Sequence, residues 1–115
     1  MKEPIVFRTE PVFWEMLARG EKTWDARRWD LADDRIYRLT QGAGGMVGAR
    51  KWMSAPALTV HGGVAYTPAE PIVSFQNTAT AEVLTFKYLG MEFTPWAPGW
   101  CFLLLGERIV EEKGR

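Results

Sequence analysis

The chain has 115 residues, 47% of them hydrophobic and 24% charged, with a formal net charge of zero. That length fits a single domain over 1–115 with a useful core, and the even mixture of signs argues against a protein that tracks long duplex through a basic surface. One cysteine, Cys101, excludes an intrachain disulfide, and the lone His61 has no partner at metal-ligand spacing, so no metal and no cofactor is expected.

No apolar run is long enough to cross a bilayer and no secretory leader is evident, so the protein is expected to be cytoplasmic and free of membrane. In chain order, Ile5 to Phe7 can start a short strand. Thr9-Glu10-Pro11 is a helix-start signal, with a capping hydroxyl, an acid and a proline tolerated in the first turn. Phe13, Met16 and Leu17 recur at helical spacing, and Gly20 stops the helix through a left-handed C-cap. Thr23 to Arg27 is the strand that follows. Trp29 to Asp34 reads as a turn, and Arg35 to Leu39 as a second strand with Ile36 and Arg38 on one face.

Gly42-Ala43-Gly44-Gly45 breaks regular structure and reads as a flexible turn, because it lacks the Gly-Lys-Ser/Thr ending of a phosphate loop. It opens an insert of unclear structure at about 42–70, in which Leu58 to Val60 and Val64 to Tyr66 flank His61-Gly62-Gly63 as a small hairpin. Ile72 to Gln76 and Glu82 to Leu89 form a clear hairpin, with Leu84, Phe86 and Tyr88 on one side. Phe93 to Gly99 is a Pro-rich loop. The apolar run Trp100 to Leu105 fits a central strand buried on both faces, and places Cys101 in the core. From Glu107 the chain turns charged and is expected to fray. One helix and five to seven short strands make an α+β, mainly β domain, most simply a small barrel with the N-terminal helix packed against it.

The chemistry concentrates at Gly20 to Arg27. Strand alternation sends Thr23, Asp25 and Arg27 to one face and Trp24, Ala26 and Arg28 to the other. Asp25 and Arg27 lie roughly 6–7 Å apart along the strand, close enough to pair, and Arg27 keeps further donors for phosphate, carboxylate or a base edge. Lys22 adds charge at the mouth. Trp24, Trp29 or Trp100 could supply a stacking surface. The same grouping is equally consistent with a buried ion pair that fixes the strand.

Gly20-x-Lys22-x-x-Asp25-x-Arg27 resembles the Gly-x-Lys-x-x-Glu-x-Arg signature of ASCH domains, a PUA-like β-barrel superfamily in which the motif directly follows a helix. Asp33-Asp34-Arg35-Ile36 falls where these domains have Gly-Asp before the next strand. The strands around Asn77 to Leu89 and Gly99 to Leu103 are similar to those of small phage and bacterial ASCH-like proteins. The resemblance spans about residues 5–40 and 72–110. It implies a PUA-like barrel that binds RNA or a nucleotide in a polar cleft, with Lys22, Thr23, Trp24, Asp25 and Arg27 as ligand-binding residues. Some members are amidohydrolases on acylated cytidine, with a Thr nucleophile at the position of Asp25, which has no hydroxyl.

Two other function classes stay open. A hydrolase acting on a modified nucleoside or RNA would use Lys22 as base or Asp25 to activate water, with Arg27 on the oxyanion and Glu82 or Glu92 approaching. A phage accessory protein would bind a host protein through the insert, where Trp52, Met53, His61 and Tyr66 offer adaptable contacts.

Overall fold

A computed structural model describes residues 3–40, 42–44, 66–68 and 70–110. Strands β1 (Val6–Thr9), β5 (Ile72–Asn77), β6 (Val83–Glu92), β7 (Trp100–Ile109) and β2 (Trp24–Arg28) form one sheet in the order β1-β5-β6-β7-β2. Only β1 and β5 run parallel within it. Helix α1 (Pro11–Ala18) follows β1, and α2 (Asp34–Leu39) follows β2. Strands β3 (Gly42–Gly44) and β4 (Tyr66–Pro68) pair separately. The fold is α+β and mainly β, with the five-stranded sheet curled into a half-barrel.

The curl has a local cause. The register between β6 and β7 shifts twice, between Phe86 and Tyr88 and between Tyr88 and Gly90, and Gly90 sits at φ +139°. Such irregularities bend a strand and deepen its twist. The concave face collects Phe7, Val73, Phe75, Leu84, Phe86, Tyr88, Met91, Cys101, Leu103 and Leu105, all buried. Helix α1 closes over β5 with Trp14 and Leu17, and the Trp14 indole Nε1 donates to the Phe75 carbonyl at 3.0 Å.

Helix α1 ends as expected. Gly20 adopts φ +76°, and the Gly20 and Glu21 amides donate to the carbonyls of Leu17 and Met16, the paired bonds of a Schellman cap. Its start differs from expectation. The N-cap is Glu10, no side chain caps the helix, and Thr9 belongs to β1. Arg35 to Leu39 is helical, not a strand. Asp33 accepts from the Arg35 amide as a side-chain N-cap, and Ile36 and Leu39 are buried one turn apart. The N-cap and the three-residue spacing outweigh the apparent alternation of so short a segment. The Tyr88 hydroxyl donates to the Leu39 carbonyl at 2.8 Å and satisfies the end of this helix.

Gly42–Gly44 is also regular, since its backbone pairs with Tyr66–Pro68. Of the hairpin expected around His61 only Tyr66 is described, and it pairs with Gly44; the rest of it, and Trp52 and Met53, lie outside the described residues. In β7, Cys101, Leu103 and Leu105 are buried, whereas Phe102 and Leu104 are half-buried and Trp100 is exposed. The run is therefore covered fully on one face and partly on the other. The strand continues through Gly106 to Ile109 instead of fraying at Glu107, because its far end pairs with Thr85 and Phe86.

Candidate functional site

The two ends of the curled sheet, β1 and β2, come face to face, and Arg27 lies between them. Its Nε donates to Asp25 Oδ2 on the same strand. Across the gap, Nη1 donates to the Arg8 carbonyl at 3.2 Å and Nη2 to Thr9 Oγ1 at 3.1 Å. Ile5 and Thr9 direct their carbonyls to the Ser74 and Thr78 amides on the β5 side. In a parallel strand the alternate carbonyls of Val6 and Arg8 then point away from β5. The Arg8 carbonyl is taken by Arg27 and the Val6 carbonyl by Arg35 Nη1 at 3.1 Å. Two guanidiniums thus satisfy an edge that would otherwise expose unpaired acceptors.

Asp25 is 3% exposed. Its second oxygen, Oδ1, faces Lys22 Nζ at 3.8 Å. Lys22 is itself largely enclosed, with its ammonium 4.5 Å from the Phe13 ring centre and 4.9 Å from that of Trp24. Both oxygens of Asp25 therefore engage cations, and the carboxylate orients Arg27. On the neighbouring strand β7, the thiol of Cys101, the register partner of Arg27, donates to the Arg27 carbonyl at 3.4 Å. Burial, and next the Asp25 carboxylate, push that thiol up to about 12.

Arg35 is fixed in the same manner. Asp33 Oδ1 accepts from its Nε at 3.0 Å and Oδ2 from its Nη2 at 2.8 Å. The hydrogen bond from Arg35 holds the Asp33 carboxyl below its usual value, against a smaller opposing effect of burial. Phe7, Arg27, Arg28, Asp30, Asp33, Arg35 and Ile36 line a solvent-open polar cleft of ≈210 Å³. Arg27 and Arg35 bring their guanidiniums to it beside Asp30 and Asp33, whereas the Arg28 guanidinium stands 5.4 Å from the Trp100 ring.

Of the residues singled out in the sequence, Lys22, Asp25 and Arg27 are brought together, and Arg27 lines this cleft. Thr23 is exposed and contributes its carbonyl to the Leu105 amide. Trp24 turns to the opposite face and meets Phe102 edge-on at 5.7 Å. It lines a second pocket of ≈250 Å³ with Glu92, Phe93, Thr94, Phe102 and Leu104. The aromatic ring in the polar cleft is Phe7; the Trp24, Trp29 and Trp100 rings do not line it. Glu82 pairs with Thr80 in the β5–β6 turn and does not line the cleft.

Phe7, Thr9 and Arg35 were not anticipated. The signal for Arg35 was a second Asp-x-Arg spacing, Asp33-Asp34-Arg35, which repeats Asp25-Ala26-Arg27. No family model matches the chain, and neither a curated protein nor a solved structure matches it. Among the described residues no cluster of metal-ligating side chains occurs, and no helix is long and apolar enough to cross a membrane.

Proposed function

We propose that this chain is a PUA-like domain of ASCH type that binds single-stranded RNA or a nucleotide in the polar cleft beside Arg27. One observation carries the reading. Arg27 is held from behind by Asp25, yet lines an open cleft together with Arg28 and Arg35. A guanidinium oriented by a carboxylate presents its remaining donors without a further ordering cost, which favours recognition of oxyanions or base edges. The charge arrangement supports a short ligand: two guanidiniums reach one small cleft while the whole chain is neutral, so a long phosphate track has no basis. The sealed carboxylate of Asp25 and the enclosed ammonium of Lys22 favour binding over hydrolysis by these two groups.

The test is backbone amide NMR during titration with a short single-stranded RNA and with nucleoside monophosphates. Shifts should cluster at Phe7, Arg27, Arg28, Asp30 and Arg35. Silence throughout, or shifts confined to the pocket of Trp24 and Phe102, would refute the reading.

A further inference from the structure

The cleft is made from two copies of one device. Asp25-Ala26-Arg27 lies on β2 and Asp33-Asp34-Arg35 at the start of α2. In each, the carboxylate grips the guanidinium two residues later. In each, Nη1 donates to an outward carbonyl of β1, that of Arg8 or of Val6. Each guanidinium carbon stands over the ring of Phe7, at 4.7 Å for Arg27 and 4.4 Å for Arg35. An arginine has five N–H donors. The hydrogen bonds among the described residues occupy three on each fork. The four that remain belong to two planar groups lining one small space.

Charge narrows the ligand. Two guanidiniums, Arg27 and Arg35, face Asp30 and Asp33 in the cleft, the Arg28 guanidinium stands 5.4 Å from the Trp100 ring outside it, and Lys22 and Asp25 cancel behind the cleft. Asp33 stays ionised because Arg35 depresses its pKa. A monoanion with two equivalent free oxygens matches the two forks and brings the least negative charge beside Asp30 and Asp33. A dianion would bring twice that charge up against the same two carboxylates. At ≈210 Å³ the cleft is also below the roughly 300–1,000 Å³ of pockets that enclose drug-sized ligands, which suits one linkage of a chain that continues past on either side.

Resting on the RNA-binding reading, we propose that the cleft seats a single internal phosphodiester between Arg27 and Arg35. The two nucleosides it joins lie along the rim, and Arg35 is a binding residue equal in standing to Arg27.

The experiment compares three probes by amide NMR: a dinucleoside monophosphate with one phosphodiester, its neutral methylphosphonate analogue, and a nucleoside 5′-monophosphate. The phosphodiester should bind about tenfold more tightly than the neutral analogue, as loss of a charge-assisted contact implies, and more tightly than the dianionic monophosphate. Arg35→Gln should weaken the charged dinucleotide about tenfold and leave the neutral one unchanged. With a longer single strand, log K against log salt should have a slope near −0.7, the value for about one phosphate. Equal affinity for the charged and neutral dinucleotides, preference for the monophosphate, or a slope of about −2 or steeper overturns this inference while RNA binding stands. Failure of every nucleotide and RNA to bind overturns the underlying reading instead. If Arg35→Gln does not fold, the charged and neutral probes on the unmodified protein still decide.

Discussion

The Thr9 hydroxyl and the Arg27 guanidinium, 18 residues apart, meet at 3.1 Å and join the two edge strands of the curled sheet. The hydroxyl also donates to the Phe7 carbonyl at 3.3 Å, so it is oriented within β1 to accept from β2. Thr9→Val keeps the shape and removes both bonds. It should lower stability by about 1–2 kcal/mol, seen as a lower urea midpoint at unchanged slope. Arg27→Ala should cost more, about 3–5 kcal/mol, because it strips the nearer cation from a buried carboxylate and leaves only Lys22 at 3.8 Å. Arg27→Lys should fall between them, since an ammonium restores charge without the fork. An Arg27→Ala variant as stable as the wild type would refute the seam.

Gly20 tests the backbone without touching any side-chain packing. An added Cβ there meets nothing within 4 Å, yet φ is +76°. Gly20→Ala should therefore destabilise by about 1–2 kcal/mol through left-handed strain alone, and Gly20→Asn by less, since Asn tolerates that region. Thermal unfolding of the two variants checks the order; equal midpoints would mean that the Schellman turn relaxes elsewhere.

Elements with strong periodicity or firm punctuation were legible in the sequence. Helix α1 is marked by Pro11 and Gly20, and the β5–β6 hairpin by the alternation of Leu84, Phe86 and Tyr88. Helix α2 was not, because in six residues Arg35, Ile36, Tyr37, Arg38 and Leu39 satisfy alternation as well as a helical turn. Only the Asp33 cap, whose carboxylate reaches the Arg35 amide, tips the balance. The grouping of Lys22, Asp25 and Arg27 was also legible, since local geometry forces it. That Asp25 would be sealed and Arg27 shared with β1 was not, because both depend on the curl that returns β2 to β1. Alternation likewise separated Trp24 from Asp25, but it could not say that Phe7, from the far edge, would supply the ring of the cleft.

Cys101 should be inert in the native state. It is fully buried, and its thiol, raised from 9.0 to about 12, stays protonated at neutral pH; the thiolate is the reactive form. Iodoacetamide at neutral pH should label it only after denaturant is added. Because the folded value lies above the unfolded one, the protonated thiol's contribution to stability is complete below about 9 and is lost as pH rises towards 12. Cys101→Ala should therefore flatten the alkaline part of the stability profile. Rapid labelling of the native protein, or an unchanged alkaline profile, would contradict this burial.

Asp33 governs the acid side of the same profile. Its carboxyl is held below the ordinary 3.8, first through the hydrogen bond from Arg35. A lowered folded value means that the contribution is present above the unfolded pKa and lost as pH falls through the folded one. In Asp33→Asn the charge is gone at every pH, and the amide can still cap α2. The stability gap between wild type and Asp33→Asn should then be constant near neutrality and close as pH drops below about 3.8. Urea midpoints measured across the acid range read that gap directly. A gap that persists unchanged in strong acid would show that Asp33 works through its shape at the helix start, and that its ion pair with Arg35 contributes nothing to fixing the guanidinium at the cleft.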